Sequence, residues 1–242
     1  MEENKLKREI ESFKNIWDGG YFTGYSKKRN QKGLENYLSK NLKGHKLLEI
    51  GCGGGQWSKF IHDLNIYEKI YCIDVLSEEH NKFWDYLGES TKSVIHYEEV
   101  NDFNLNFIED NSLDFVFSYD VFCHISFSGV KSYLSSLHKK CKQGAELLIM
   151  YADPNKYINS EPENRYHLER YLPNKKIIHK ISNKKLISDA LLDRDGDPSE
   201  GRWYWIGIEN FVKACEDTGF EIINKDIHID KTNPITLFIK NN

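Results

Sequence analysis

A glycine-rich segment followed by a carboxylate is the part of this sequence best suited to chemistry. Residues 49–55 read Glu-Ile-Gly-Cys-Gly-Gly-Gly and follow a short apolar run that ends at Ile50. Glycines at alternate positions allow a tight turn, let the backbone approach a ligand closely and lead into a helix N-terminus. Asp74 ends the next apolar run, where its carboxylate could bind both hydroxyls of a ribose. Together these residues predict a site for a nucleotide-like ligand.

A second pair of residues could move a proton. Asp120 and His124 follow the apolar run Leu113–Ser118, and they would share one face of a helix if a helix begins there. A neutral imidazole near pH 7 can take a proton from a hydroxyl group, so we predict that His124 and Asp120 are catalytic. The alternative remains open that His124 packs under the loop and that Asp120 caps a helix.

The elements that must position these residues alternate along the chain. Apolar runs predict β-strands over residues 46–50, 69–74, 94–98, 113–118, 146–150, 220–229 and 235–240. Apolar residues at helical spacing predict α-helices over residues 3–17, 31–42, 56–65, 78–88, 128–141 and 209–218. Strands that alternate with helices are typical of an α/β fold, in which helices cover both faces of a parallel sheet.

The chain is predicted to form a single domain over residues 1–242. Residues 1–44 would form an N-terminal helical lid, and residues 45–151 together with 206–242 would form the core. Residues 152–205 fit no position in the sheet and are too long for a simple connection. We therefore predict that they form an inserted cap after the fifth strand.

The glycine-rich segment resembles motif I of the class I S-adenosylmethionine-dependent methyltransferases, Glu/Asp-x-Gly-x-Gly-x-Gly. The matching residues are Glu49, Gly51, Gly53 and Gly55. Cys141–Ile149 and Thr218–Glu221 resemble two further turns of the same family. The resemblance implies a Rossmann-like fold, a seven-stranded, mostly parallel sheet with helices on both faces. It also implies S-adenosyl-L-methionine as the cofactor, with S-adenosyl-L-homocysteine as its product.

The same resemblance implies which residues contact the cofactor and the acceptor. Asp74 would bind the ribose, and Val75 would flank the adenine. Further cofactor contacts, near the adenine, after the fourth strand and in an N-terminal lid loop, would be Asn101, Asp102, Phe103, Ser118 and Tyr25. Acceptor contacts in the lid loop and after the fourth strand would be Tyr21 and Tyr119. In the cap the residue types themselves, aromatic and basic side chains that could hold a sugar or a base, suggest Arg165, Tyr166, His167, Arg202, Trp203 and Trp205. The aromatic residues of the cap could equally form the seam where the cap docks.

A nicotinamide-dependent dehydrogenase is the main alternative for the glycine-rich segment. The fingerprint of such enzymes, Gly-x-Gly-x-x-Gly, would place its third glycine at position 56, where this chain has Gln56. Glu49 would also lie close to a pyrophosphate. A cofactor that has no phosphate and carries a sulfonium cation is better suited to a carboxylate beside the loop.

Composition narrows the choice of partners. A formal net charge of −4 gives no basic excess, which argues against a nucleic-acid partner, although local lysine clusters exist. The N-terminus lacks the apolar stretch of a secretory signal, and no run is long enough to span a membrane. We therefore predict a cytoplasmic protein with no membrane partner.

Metal binding and disulfide formation are not predicted. Five cysteines at irregular spacing indicate free thiols. Residues 193–204 carry acids at alternate positions but have Pro198 and Tyr204 where a calcium loop needs glycine and glutamate. Asp120 could ligate a divalent cation, but the sequence shows no evident partner for it.

The acidic balance and the polar cap favour a small, soluble acceptor. On a resemblance to bacterial sugar O-methyltransferases, we predict methylation of a hydroxyl of a sugar or sugar nucleotide in cell-surface polysaccharide biosynthesis. The alternatives are an N- or carboxyl-methyltransferase of another small metabolite, an RNA or protein methyltransferase, and a non-catalytic, cofactor-binding partner subunit. A homo-oligomer is compatible with the sequence.

Overall fold

The computed structural model describes residue 11 and residues 31–160 and 203–241. Its strands are β1 (Lys46–Ile50), β2 (Lys69–Asp74), β3 (Ile95–Glu99), β4 (Leu113–Ser118), β5 (Cys141–Met150), β6 (Phe220–Asn224) and β7 (Ile235–Lys240). The α-helices in the described ranges are α1 (Gln31–Asn41), α2 (Gln56–Asp63), α3 (Phe83–Leu87), α4 (Phe127–Lys140), α5 (Pro154–Ser160) and α6 (Ile208–Thr218). Short 3-10 segments cover Glu89–Ser93 and Phe122–His124.

The strands form one seven-stranded sheet in the order β3-β2-β1-β4-β5-β7-β6. The first five strands are parallel, and β7 is antiparallel to both of its neighbours. The predicted α/β fold with a seven-stranded, mostly parallel sheet is therefore confirmed. The strand order reverses between β1 and β4, and ligands of such sheets bind at the carboxyl ends of the strands at that point.

The central strands are buried on both faces, as their uninterrupted apolar sequences predict. Leu47 and Leu48 of β1 point to opposite faces of the sheet, and both are fully buried. In α1, Leu34 and Leu38 are also fully buried and belong to the same apolar cluster as Leu47. Because they lie four residues apart, they form one helical stripe. The described part of the predicted N-terminal lid thus packs into the core.

Local residue chemistry sets several helix ends. The Ser126 hydroxyl accepts a hydrogen bond from the Gly129 N–H at 3.1 Å and caps α4. Gly219 ends α6 with φ of 98°, in the left-handed region that glycine adopts readily at the C-terminus of a helix. None of the helices in the described ranges has the length and apolar character that crossing a bilayer requires.

Three elements differ from their predicted bounds by more than two residues. The helix predicted over 78–88 is reduced to α3, because Ser77 closes a turn with the His80 N–H and Lys82 adopts a left-handed φ of 49°. Strand β5 begins at Cys141 instead of residue 146, and the predicted turn around Gly144 is an irregularity in its pairing with β4. Strand β6 ends at Asn224, whose side chain accepts a hydrogen bond from the Asp226 N–H.

The described ends of the predicted cap are tied to the core. Ala152 pairs with Trp205 in an isolated parallel bridge, and the Gly207 N–H donates to the Ala152 carbonyl at 3.1 Å. The chain therefore leaves the core after β5 and returns to the same place. Residues 161–202 of the predicted cap and residues 1–10 and 12–30 of the predicted lid lie outside the described residues. The helix predicted over residues 3–17 therefore also lies outside them, apart from residue 11.

Candidate active site

The glycine-rich segment forms a tight loop between β1 and α2. The N–H groups of Gly51 and Cys52 both donate to the carbonyl of Ile73, at 2.8 and 3.1 Å. Gly51, Gly53 and Gly55 have φ values of 73°, 50° and 86°, in the left-handed region that favours glycine. The loop is thus fastened to the end of β2 while it turns into the helix.

Two of these glycines are also required by their close neighbours. A Cβ atom at Gly51 would collide with the side chain of Val121, and one at Gly55 would collide with Leu87. Val121 belongs to the segment after β4, so the absence of a side chain at Gly51 lets that segment lie directly against the loop. The loop, the end of β2 and the segment after β4 therefore meet at one edge of the sheet.

Asp74 joins the end of β2 to the loop. Its Oδ2 accepts a hydrogen bond from the Gly53 N–H at 2.9 Å, and its Oδ1 accepts one from the Leu76 N–H at 3.0 Å. Burial raises the pKa of this carboxyl, and the two N–H groups oppose that shift. The Asn81 side chain and the Val75 N–H also lower its pKa by hydrogen bonding, so this carboxylate is surrounded by donors, and ligand hydroxyls would compete with them for its oxygens.

Glu49 lies beneath the loop and is only 2% exposed. Its Oε2 accepts hydrogen bonds from the Ser58 hydroxyl at 2.5 Å and the Cys72 thiol at 3.9 Å. Burial raises the pKa of Glu49 to about 8. The structure thus places this predicted cofactor contact under the loop, where it links β1 and β2 to α2.

The predicted adenine contacts lie after β2 and β3. Val75 is half-buried against the core, and Phe103 is buried with its ring 4.7 Å from that of Tyr133. Asn101 and Asp102 are exposed. The Asp102 carboxylate accepts hydrogen bonds from the backbone and side-chain N–H groups of Asn104, at 2.8 and 3.0 Å. In the structure Asp102 therefore shapes its own turn.

The segment after β4 holds the predicted catalytic residues. The hydroxyl of the buried Ser118 donates to the Ile50 carbonyl at 3.0 Å, which joins the ends of β4 and β1. The Tyr119 hydroxyl donates to Asp230 Oδ2 at 2.7 Å, across to the loop between β6 and β7. Asp120 follows with a left-handed φ of 63°.

His124 ends a 3-10 turn. The expectation that Asp120 and His124 share one face of an α-helix is wrong, because the left-handed residue precedes that turn. The two side chains nevertheless come together with Cys123, whose thiol donates to Asp120 Oδ1 at 3.6 Å. Burial lowers the pKa of His124, and the charge of Asp120 opposes this shift. Burial and the nearby Asp120 raise the pKa of the Cys123 thiol.

Two predicted acceptor contacts lie where the chain returns from the cap. Trp205 is buried, and its ring centroid lies 5.3 Å from that of Tyr157 and 5.5 Å from that of Trp203. Trp203 and Tyr157 are half-buried. The burial of Trp205 favours the alternative that it forms part of the seam where the cap docks on the core. Trp203, which is half-buried, lies at the edge of the ring cluster that it forms with Trp205 and Tyr157. Six further predicted contacts lie outside the described residues: Tyr21, Tyr25, Arg165, Tyr166, His167 and Arg202.

Three residues of the site were not among the predictions. Cys123 and Val121 lie between the two predicted catalytic residues, and this position in the sequence is the signal that could have identified them. Asp230 is 111 residues from Tyr119 in the sequence, and no local signal connects them.

Comparison with known proteins identifies a related family and related folds. A family model described as a methyltransferase domain matches residues 22–225. No curated protein matches the chain in sequence.

Solved structures from three bacteria share the fold. The 1,6-didemethyltoxoflavin N1-methyltransferase of Burkholderia thailandensis, with bound 1,6-didemethyltoxoflavin and S-adenosylhomocysteine, gives a TM-score of 0.64 at 10% identity, over 100% of this chain and 90% of that chain. An S-adenosylmethionine-dependent methyltransferase of Mesorhizobium loti gives a TM-score of 0.58 at 13% identity, over 92% of this chain and 99% of that chain. Magnesium protoporphyrin IX methyltransferase of Synechocystis, with bound S-adenosylhomocysteine, gives a TM-score of 0.55 at 16% identity, over 98% of this chain and 95% of that chain. At these identities the likeness establishes the fold.

Proposed function

The chain belongs to the methyltransferase-domain family, and from this premise we propose that it transfers a methyl group from S-adenosyl-L-methionine to a small, soluble acceptor. The observation that carries the proposal is the hydrogen bond between Asp74 and the Gly53 N–H, which sets a carboxylate beside a glycine loop at the carboxyl edge of the sheet. A nucleoside can lie against such a loop while the carboxylate binds its ribose hydroxyls.

The acid beneath the loop supports a cofactor without phosphate. Glu49 is buried between Ser58 and Cys72, and among the described residues its hydrogen-bond partners are these two neutral groups. A pyrophosphate at the loop would bring negative charge towards this carboxyl and towards Asp74. The ammonium and sulfonium groups of S-adenosylmethionine bring positive charge instead, which lowers the pKa of a nearby carboxyl group and favours its ionised form.

The reaction requires alignment of the methyl donor with the acceptor atom and, for a hydroxyl acceptor, a group that takes up its proton. A lone pair of the acceptor attacks the methyl carbon, and the sulfonium sulfur leaves with the electron pair of the broken bond. Positioning and exclusion of water supply much of the rate enhancement in such a displacement. When the acceptor is a hydroxyl, its proton must also be taken up, and we assign that role to His124.

The acceptor we propose is a hydroxyl of a sugar or sugar nucleotide in cell-surface polysaccharide biosynthesis. A histidine whose pKa is lowered by burial is neutral near pH 7 and can accept a hydroxyl proton, which an amine or carboxylate acceptor would not require. The rings of Trp57 and Tyr119, 5.8 Å apart beside this segment, offer flat apolar faces for a sugar ring. N- or carboxyl-methylation of another small metabolite and a non-catalytic partner subunit are the competing proposals.

Replacement of His124 by glutamine tests the proton acceptor. We expect the His124→Gln variant to lose about 10²–10⁴-fold in kcat with a hydroxyl acceptor, the usual contribution of general base catalysis. Its affinity for S-adenosylhomocysteine should stay the same. The kcat of the unmodified protein should fall as the pH drops through a value below 6.5, because burial lowers the pKa of His124 and protonation removes the base. Product formation from methyl-labelled cofactor over a panel of sugar, amine and carboxylate acceptors measures both effects.

His138 provides a matched control. Burial also lowers its pKa, but it lies on α4, with its ring 5.2 Å from that of Phe220, away from the loop. The His138→Gln variant should keep its kcat. Equal activity in His124→Gln and His138→Gln would remove the base assignment, and turnover of amine acceptors alone would favour N-methylation.

The cysteines bear on the cellular location of the protein. All five cysteines are free and buried, and unpaired thiols suit a reducing compartment. We therefore keep the cytoplasm as the proposed location and a homo-oligomer as a testable state.

A further inference from the structure

We propose that Asp120, Cys123 and His124 bind a divalent transition-metal ion, with Zn²⁺ as the best fit, at the edge of the site next to the acceptor. The sequence offered no partner for Asp120 as a metal ligand, whereas the fold brings a thiol and an imidazole beside it. This inference does not depend on the proposed methyl transfer, because metal binding can be measured without turnover.

The distances suit a tetrahedral ion. One ligand atom from each of the three side chains lies within 4.8 Å of the other two. The Cys123 sulfur and Asp120 Oδ1 are 3.6 Å apart. In a tetrahedral zinc site with Zn–S of about 2.3 Å and Zn–O of about 2.0 Å, these two atoms lie about 3.5 Å apart. A small inward movement of the imidazole would complete a three-ligand set.

The backbone holds the cluster in this arrangement. The left-handed φ of 63° at Asp120 turns its carboxylate back towards the thiol three residues later. The His124 N–H donates to the Val121 carbonyl at 2.8 Å. The Cys123 carbonyl accepts a hydrogen bond from the Tyr204 N–H at 2.7 Å, where the chain returns from the cap. Ligands fixed from both sides need little reorganisation when an ion binds.

The exposure of the three residues leaves one side of the ion open. Cys123 is fully buried, whereas Asp120 and His124 are partly exposed. Three protein ligands with an open fourth position are typical of catalytic rather than structural zinc sites. The thiol proton would leave to solvent when the ion binds, since the thiolate is the ligand. A hydroxyl acceptor bound at the open position would have a lower pKa and would release its proton to solvent. The ion would therefore replace His124 in promoting this proton loss in the metal-loaded protein, and His124 would act as a free base in the metal-free protein.

Metal titration of the full chain tests this inference. The protein, stripped with a chelator and dialysed, is titrated with Zn²⁺ against a chromogenic chelator, and its spectrum is recorded with Co²⁺. We expect one ion per chain and a sulfur-to-cobalt charge-transfer band. The Cys123→Ser variant should bind zinc at least about 100-fold more weakly, because loss of a ligand exceeds the 10–100-fold effect of an outer partner.

Cys215 supplies the matched control. It is also a free, fully buried thiol, but it lies on α6 outside the cluster. The Cys215→Ser variant should keep both the zinc affinity and the cobalt band. Absence of the cobalt band from the unmodified protein, or equal zinc affinity in the two serine variants, would overturn the metal site. Binding of S-adenosylhomocysteine, measured on the same samples, reports separately on the proposed function.

Discussion

The Gly51→Ala variant is expected to lose measurable binding of S-adenosylhomocysteine and to unfold at a clearly lower temperature than the unmodified protein. Gly51 has φ of 73°, and an added Cβ would collide with both methyl groups of Val121. The collision would push the segment after β4 away from the loop or unwind the loop itself. Overpacking of this kind costs about 1–3 kcal/mol, and the left-handed conformation adds about 1–2 kcal/mol for a residue with a side chain.

Gly144 separates the two contributions. Its φ of 75° is nearly the same, but an added Cβ would meet nothing within 4 Å. The Gly144→Ala variant should therefore show the backbone cost alone and keep its cofactor affinity. Thermal unfolding and calorimetric titration of both variants make the comparison. Equal destabilisation, or normal cofactor affinity in Gly51→Ala, would show that the close approach of Val121 to the loop is unimportant.

The Glu49→Gln variant is expected to gain stability relative to the unmodified protein as the pH rises from about 5 to about 8. In the folded chain burial raises the pKa of Glu49 from 4.5 to about 8. The unfolded chain releases this proton first, so the contribution of Glu49 to stability is fully present below pH 4.5 and is lost as the pH rises to 8. The loss is at most about 1.4 kcal/mol per pH unit, and glutamine, which cannot ionise, does not suffer it.

Urea unfolding of both proteins at a series of pH values measures this difference. Glu216, an exposed residue near the end of α6, gives the control variant Glu216→Gln. A difference between Glu49→Gln and the unmodified protein that does not change with pH would mean that Glu49 is ionised in the folded chain. The increase in the pKa of Glu49 that we assign to burial would then be absent.

The sequence was most informative where local pattern decides structure. Strands β1, β2 and β4 have the predicted bounds, because their apolar runs are long enough to be buried on both faces and end in recognisable turns. The glycines of the loop and Asp74 were predicted to meet because the carboxyl ends of adjacent parallel strands lie side by side. The structure adds the contact that joins them, the Gly53 N–H to Asp74.

Prediction failed where side chains compete with the regular element. The helix expected after Ser77 is mostly a turn, since Asn81 reaches the Tyr97 hydroxyl and Trp84 reaches Glu78. Asp120 and His124 would share one face if a helix began after the fourth strand, and the left-handed Asp120 replaces that geometry.

Contacts between residues far apart in the sequence could not be predicted, because no local pattern connects such residues. The hydrogen bond from Tyr119 to Asp230 and the one from the Tyr204 N–H to Cys123 join residues that only the folded sheet brings together. They fix the segment that carries Asp120 and His124, so part of the candidate site depends on tertiary contacts.

The most direct test of the central claim is calorimetric titration with S-adenosylhomocysteine of the unmodified protein and of two aspartate variants. Asp114 also accepts two backbone N–H bonds, from His45 and Lys46 at 2.9 Å each, but it does so at the opposite edge of the sheet. We predict micromolar binding that Asp74→Ala weakens by about 1–3 kcal/mol and that Asp114→Ala leaves unchanged. Failure of the unmodified protein to bind S-adenosylhomocysteine, together with binding of NAD, would contradict the account and favour a dehydrogenase.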